Sequence, residues 1–161
     1  MVMSSSLRKK LFGAAGTGAL AIATLMIPEL EGVRFEPYRD VAGVLTVCYG
    51  HTGADIVPGK RYTQAECKAI LDKDLIPFAR SVNRSVKVPA SEYQKAALIS
   101  FSYNVGVSAF ERSSLLRKLN AGDYAGACDG LRQWIYAGGK SWKGLMNRRD
   151  IEHEVCTWGQ K

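Results

Sequence analysis

Residues 31–51 decide the fold, and they read EGVRFEPYRDVAGVLTVCYGH. One carboxylate, Glu31, stands where a short helical stretch ends, and a second, Asp40, stands nine residues later at the start of β-type sequence. Val44 to Tyr49 is rich in Val, Thr and Tyr and lies between glycines, which predicts a strand of a small antiparallel sheet. Thr46 adds a hydroxyl six residues beyond Asp40. These three side chains can converge on one cleft.

Two carboxyl groups in different environments are what glycoside hydrolysis requires. One must donate a proton to the leaving oxygen, while the other stays ionised to activate water or to stabilise the positive charge of the sugar ring. The spacing of Glu31 and Asp40 alone is weak support for a catalytic role. The chain has 15 Asp and Glu residues, and most pairs of carboxylates in a protein are surface charges. His51 and His153 are the only histidines and lack HExxH spacing, so no metal site and no cofactor are expected.

Beyond this stretch, the sequence is mainly helical. Capping-box patterns predict three helix starts, at Thr63, Ser91 and Ser108. Pro77 should interrupt the first of these helices, and Gly122 should end a later one. We therefore predict an α+β fold in which residues 28–161 form a β lobe over about 37–62 and a larger helical lobe over about 63–161.

The composition of the 161 residues allows one domain with an appendage. With 47% hydrophobic and 23% charged residues, the chain lies outside the range of disordered proteins. Four cysteines without CxxC spacing exclude a disulfide-dense mini-protein and a zinc ribbon. The net charge of +7 falls to +4 once the three positive charges of residues 1–27 are set apart. That balance suits an anionic envelope polymer or lipid surface, and there is no basic stripe for nucleic acid.

Residues 1–27 have the pattern of an export signal, with the basic run Arg8 to Lys10 followed by 17 uncharged residues, 11–27. The positive-inside rule leaves the basic run in the cytoplasm and exports the rest. Ten of the 17 are Gly, Ala or Thr, so a membrane should hold the segment weakly. Pro28 is expected to end this apolar helix. A cleaved signal peptide, a permanent anchor and a buried core helix remain possible, but we favour an uncleaved segment that inserts and later escapes.

Residues 31–51, together with Phe101 to Gly106, Ser114 to Asn120 and Leu145 to Arg149, resemble the phage-type lysozymes of glycoside hydrolase family 24. The resemblance extends from about Leu30 to Trp158 and implies a lysozyme-like fold. The weakly apolar N-terminus resembles the signal-arrest-release subgroup of phage endolysins. In that subgroup, an uncleaved signal anchor tethers the enzyme to the inner membrane until the enzyme is released into the periplasm.

This resemblance implies a role for each residue of the site. Glu31 becomes the general acid for the MurNAc–GlcNAc linkage, Asp40 the second carboxylate, and Thr46 the hydroxyl that helps to hold the attacking water. Because the family inverts the anomeric carbon, we expect a carboxyl separation of roughly 6.5–9.5 Å. Arg148, in preference to Arg149, corresponds to the arginine beside the acid. The positive charge of this arginine favours the ionised form of Glu31, whereas a general acid must keep its proton. We therefore expect the surroundings of Glu31 to balance these two demands.

The remaining candidate residues each have two interpretations. The resemblance implies that His51 makes a structural pair behind the sheet. Tyr103 and Asn104 could line the cleft, with a ring against a sugar and an amide bonded to an N-acetyl group, or could simply pack within their helix. For the three tryptophans, core packing is favoured over sugar stacking: Trp134, Trp142 and Trp158.

Four cysteines, Cys48, Cys67, Cys128 and Cys156, allow three complete pairings. Export to an oxidising compartment favours disulfides, and the local choice joins Cys48 to Cys67 and Cys128 to Cys156. The sequence does not fix this connectivity. Residues 1–27 contain no cysteine, so thiol exchange between that segment and the site is excluded.

The predicted protein is thus a monomeric muramidase endolysin that hydrolyses peptidoglycan. It is made as an inactive form on the periplasmic side of the host inner membrane, held by residues 11–27, and acts in the periplasm after release. A lytic transglycosylase is an alternative, although it does not need Asp40 with Thr46. A non-catalytic cell-wall binding module is another, and for it the carboxylate pair would have no role.

Overall fold

A computed structural model describes residues 3–158. Its α-helices are α1 (Ser5–Gly13), α2 (Ala19–Glu31), α3 (Gln64–Asp74), α4 (Ile76–Ser85), α5 (Glu92–Val105), α6 (Val107–Glu111), α7 (Ser114–Asn120), α8 (Tyr124–Gly130) and α9 (Lys143–Trp158). Its strands are β1 (Arg34–Arg39), β2 (Leu45–Cys48), β3 (His51–Thr52), β4 (Tyr136–Ala137) and β5 (Lys140–Ser141). A short 3₁₀ turn, Leu131–Gln133, follows α8.

The β lobe is an antiparallel sheet of β1, β2 and β3 in that order, which confirms the predicted small sheet. Thr46 lies opposite Tyr38 on one side and opposite Thr52 on the other. Directly opposed residues point to the same face of a sheet, so these three side chains share one face. The sheet begins at Arg34, three residues before the lobe expected from the sequence.

The helical lobe is organised around α5, which packs against α2 and α9. A run from Ala96 to Ser102 is buried along α5. The capping boxes at Thr63 and Ser91 are present, as predicted. The prediction of a helix start at Ser108 is wrong. Gly106, at φ +97°, already separates α5 from α6, so the new helix is under way before Ser108.

Residues 5–31 differ from the single apolar helix that the sequence favours. They form two helices, and Gly16 (φ +85°) and Gly18 (φ +101°) lie in the turn between them. The prediction that Pro28 ends the helix is also wrong, because α2 continues through it to Glu31. Proline removes only one helical hydrogen bond there. The burial of Met26 and Ile27 just before it outweighs that loss.

Both N-terminal helices pack into the body of the domain. Leu7, Leu11 and Ile22 are fully buried. Arg8 forms a bidentate ion pair with Glu154 of α9, in which Nε and Nη2 each lie 3.0 Å from a carboxylate oxygen. Among residues 3–158, no helix combines the length and the apolar character that crossing a membrane requires.

Two disulfides hold the fold, and both follow the local pairing that the sequence favoured. Cys48–Cys67 joins the end of β2 to α3, and Cys128–Cys156 joins α8 to α9. The first bond fixes the strand that leads to the β2–β3 turn against the helical lobe. That turn forms one wall of the site.

Candidate active site

Glu31 is the last residue of α2, and its side chain is 24% exposed. Gly32 follows at φ +69° and turns the chain towards β1. The C-terminal end of a helix carries partial negative charge, which is unfavourable for a carboxylate. Arg148 compensates, because its Nη1 lies 2.5 Å from Glu31 Oε1. The structure therefore places Arg148, and not Arg149, against Glu31.

A buried network holds Arg148 in place. Glu152, one turn further along α9, accepts hydrogen bonds from Arg148 Nε at 3.2 Å and from Arg149 Nη1 at 2.6 Å. The Ser100 hydroxyl donates to the same carboxylate, and the Ser100 carbonyl accepts from Arg148 Nη2 at 2.9 Å. Glu152 and Arg149 are almost completely buried, so these charges are balanced inside the protein. Burial lowers the pKa of Arg149, while Glu152 opposes that shift.

Glu31 opens into a recess of about 410 Å³ between the two lobes. The lining comes from α2, the β2–β3 turn, β3 and helices α3 to α5: Glu31, Gly50, His51, Thr52, Asp74, Phe78, Tyr103 and Asn104. Larger recesses lie at the start of α5, about 630 Å³, and between α2 and α3, about 690 Å³. Neither is lined by Glu31, so we assign the chemistry to the smaller one.

Gly50 gives the recess its shape close to the acid. It has φ +86°, and a β-carbon built there would lie 3.6 Å from Glu31 Oε2 and 3.8 Å from the Tyr103 hydroxyl oxygen. A larger residue at this position would be strained and would narrow the space at the carboxyl group. In the sequence, Gly50 is one of the two glycines that flank the predicted strand.

Tyr103 and Asn104 both line the recess, as one of their two interpretations predicted. The Tyr103 hydroxyl donates to the Tyr49 carbonyl at 2.8 Å, which ties α5 to the β2–β3 turn. Burial, followed by the negative charges of Asp74 and Glu31, raises the pKa of Tyr103, so its proton stays in place. The Asn104 amide oxygen accepts a hydrogen bond from Arg149 Nη2.

His51 lies at the wall of the recess between two aspartates. Its Nδ1 is 2.6 Å from Asp74 Oδ2, and its Nε2 is 2.9 Å from Asp55 Oδ1. Burial lowers the pKa of His51, but the bonds to Asp55 and Asp74 raise it by more, so the net shift is upward. The contact between His51 and Asp74 joins β3 to α3, which agrees with a structural role for His51.

Asp40 and Thr46 lie in the β lobe and are not among the residues that line the recess. Asp40 Oδ1 accepts hydrogen bonds from the backbone N–H groups of Ala42 and Val44, both at 2.9 Å. The Thr46 hydroxyl donates to the Val44 carbonyl at 2.9 Å. Thr46 faces the same side of the sheet as Thr52, which does line the recess.

Sequence reasoning missed Glu152, Ser100 and Asp74. Glu152 had a readable signal, because it lies three and four residues after two arginines on a predicted helix. Ser100 and Asp74 had none, since their partners are 52 and 23 residues away in the chain.

Comparisons with known proteins identify a family, similar sequences and a similar fold. Residues 28–152 match the model of the phage lysozyme family. The chain is 58% identical, over the full length of both proteins, to the SAR-endolysin of Bacteriophage PS119. It is 56% identical to the SAR-endolysin of Enterobacteria phage P21, over 99% of this chain and 100% of that one. A crystal structure of a mutant of P22 lysozyme superposes with a TM-score of 0.76 at 28% identity, covering 98% of this chain and 99% of that one.

Proposed function

The chain belongs to the phage lysozyme family and is a glycoside hydrolase, and we propose that it is an endolysin that hydrolyses the β-1,4 bond between MurNAc and GlcNAc in peptidoglycan and so lyses the host cell. The observation that carries the proposal is the Glu31 carboxyl group, held by buried Arg148 and open to the recess between the lobes. The SAR-endolysin names of its relatives support the assignment.

In this mechanism, Glu31 donates its proton to the glycosidic oxygen as the bond breaks. Asp40 orients the attacking water with the Thr46 hydroxyl. Two observations support these roles. The backbone fixes Asp40 through Oδ1, and Oδ2 accepts no hydrogen bond from the described residues, so it can meet water. Thr46 shares its sheet face with a residue that lines the recess.

The decisive experiment replaces Glu31 with glutamine in the purified protein. General acid catalysis contributes about 10²–10⁴-fold, so we expect clearing of peptidoglycan to slow by at least that factor. The matched control is Glu36→Gln, because Glu36 lies on β1 in an exposed ion pair with Arg61. Full activity in Glu31→Gln contradicts the proposal. Products of the parent protein should carry a reducing MurNAc end, and a 1,6-anhydro end identifies a lytic transglycosylase instead.

We further propose that residues 11–27 first tether the protein to the inner membrane. After release, they would pack against the domain as parts of α1 and α2, as they do in the structure. The Glu92 carboxylate supports this proposal, because it accepts hydrogen bonds from Gly16 N at 2.8 Å and Gly18 N at 3.1 Å. In a continuous membrane helix, those N–H groups would bond to carbonyls within the helix. The docked arrangement would therefore be that of the released, active enzyme in the periplasm.

Leucines that strengthen membrane insertion without disturbing docking test the tether. Gly13 and Ala15 suit this purpose: a β-carbon at Gly13 meets no atom within 4 Å, and Ala15 is exposed. We expect Gly13→Leu with Ala15→Leu to remain in the membrane fraction and to delay lysis. Ala121→Leu, an exposed change in the helical lobe, is the control. Lysis at the normal time in the double variant contradicts the tether.

A further inference from the structure

Trp142 departs from the core packing expected for the tryptophans. Trp134 and Trp158 do pack against the core, in contact with Phe101 and Phe12 respectively. Trp142 is instead 52% exposed, although its indole N–H donates to the Ala137 carbonyl at 2.9 Å. This bond fixes the edge of the ring and leaves much of the side chain open to solvent.

The β4–β5 hairpin beside Trp142 closes through two glycines. Gly138 and Gly139 both have positive φ, at +59° and +78°, which is typical of a tight two-residue turn. Tyr136, at the base of the hairpin, is 65% exposed. Tyr136 pairs with Ser141, the neighbour of Trp142, so Tyr136 and Trp142 point to opposite faces of the hairpin. Rigid aromatic residues with one polar anchor make efficient contact surfaces, because they lose little conformational entropy on binding.

A line of side chains leads from Trp142 towards the acid. Trp142 precedes α9, and its carbonyl accepts the hydrogen bond of Met146 N. Met146 and Arg149 follow at i+4 and i+7, so the three residues lie on one face of the helix. Arg149 binds Asn104, which lines the recess around Glu31. At about 1.5 Å per residue, Trp142 lies only about 9 Å along the helix from Arg148.

A second hollow lies along this line. It measures about 210 Å³ and is lined by Arg132, Ile135, Met146, Arg149 and Asp150. Met146 is 44% exposed at its rim. The hollow and the recess of Glu31 are separated by the Arg149–Asn104 pair. The hollow therefore adjoins the recess of Glu31 through this hydrogen-bonded pair.

We propose that Trp142 forms a binding site for a sugar ring of the glycan strand, outside the residues that act on the broken bond. The inference rests on the proposed peptidoglycan substrate. The exposed Trp142 side chain would stack on the apolar face of the sugar. Lys140 and Lys143 flank Trp142 and are exposed, and their charges would attract the carboxylates of the polymer.

A lipid surface is the competing ligand, since Trp, Tyr and Lys also suit the interface of a bilayer. The hairpin argues against it. Its tip is Gly138–Gly139, flanked by Ala137 and Lys140, so it offers no large apolar side chain to insert. Continuity with the recess of Glu31 favours the glycan.

Binding is best measured in the Glu31→Gln background, in which the strand is not cut. The probe is a peptidoglycan glycan strand of defined length, freed of its stem peptides. We expect Trp142→Ala to weaken binding about tenfold, which corresponds to ~1.4 kcal/mol. Trp142→Phe keeps an aromatic face and should bind within about threefold of the parent. The matched control is Tyr124→Ala, an aromatic residue on α8 that lies outside this line of side chains.

The same changes in the active protein separate binding from chemistry. With long strands, Trp142→Ala should raise KM and leave kcat unchanged. With an oligosaccharide too short to reach the hairpin, neither constant should change. Binding by Trp142→Ala within twofold of the parent overturns the proposal, as does an equal loss in Tyr124→Ala. The proposal is also overturned if Trp142→Ala weakens association with phosphatidylglycerol vesicles but leaves glycan binding unaffected. If the proposed function itself fails, the protein with Glu31 intact releases no sugar, which is a distinct result.

Discussion

Replacing Glu152 with glutamine should destabilise the fold strongly, because it leaves two buried arginines with too little negative charge. The Glu152 carboxylate accepts hydrogen bonds from Arg148, Arg149 and Ser100 and is fully buried. Glutamine keeps the shape but loses the charge, and its amide hydrogens would face arginine donors. Breaking a buried ion pair from one side costs about 3–5 kcal/mol. For a chain of this size, that corresponds to a Tm lower by about 6–20 °C.

Thermal unfolding, followed by circular dichroism at one fixed pH, measures this effect. The control is Glu154→Gln, two residues along the same helix, because Glu154 forms a partly exposed pair with Arg8. A partly exposed pair contributes up to about 1 kcal/mol, so its Tm should fall by no more than about 4 °C. If Glu152→Gln melts within that same margin of the parent, the buried network does not carry the stability that we assign to it. Glu152→Gln should also lose activity, since Arg148 is then free to leave Glu31.

Two further predictions concern single contacts. Glu92→Gln should speed amide hydrogen exchange at Gly16 about tenfold or more, because hydrogen bonds to a charged group contribute about 1.5–3 kcal/mol; an unchanged exchange rate argues against the contact. Burial lowers the pKa of His51, yet its bonds to Asp55 and Asp74 raise it further, to a net value above the ordinary 6.5. The stabilisation from His51 is therefore complete below pH 6.5 and is lost as the pH rises through the folded-state pKa, so the Tm advantage of the parent over His51→Gln should shrink as the pH is raised above 6.5. An advantage that stays constant across that range would contradict this reasoning.

Local patterns predicted those features that depend on neighbouring residues. Thr63 and Ser91 were readable as helix starts because a capping box involves residues only three apart. The structure has the local pairing, Cys48–Cys67 and Cys128–Cys156, which proximity in the chain favoured although the sequence left the connectivity open. Arg148 came from the family resemblance, and the structure places it against Glu31.

Long-range contacts were not readable from local patterns. The contact between Glu92 and Gly16 spans 76 residues, and the one between Arg148 and Glu31 spans 117 and was indicated only by the family resemblance. Neither spacing has a periodicity that could reveal it. Trp142 illustrates the same limit, because its apolar character predicts burial equally for all three tryptophans. Only the hairpin that carries Trp142 leaves it exposed.

The proposed tether requires residues 11–27 to suit two environments. Small residues such as Ala23 give the segment little apolar area, which weakens its hold on a membrane, but they also allow close packing between helices. Ala23 and Ile22 are fully buried against the domain in the structure. Gly16 and Gly18 allow the positive φ values that split the segment, and Glu92 then satisfies the N–H groups that this break exposes. A larger side chain at the fully buried Ala23 would overpack this docked position, whereas the exposed Ala15 can accept one.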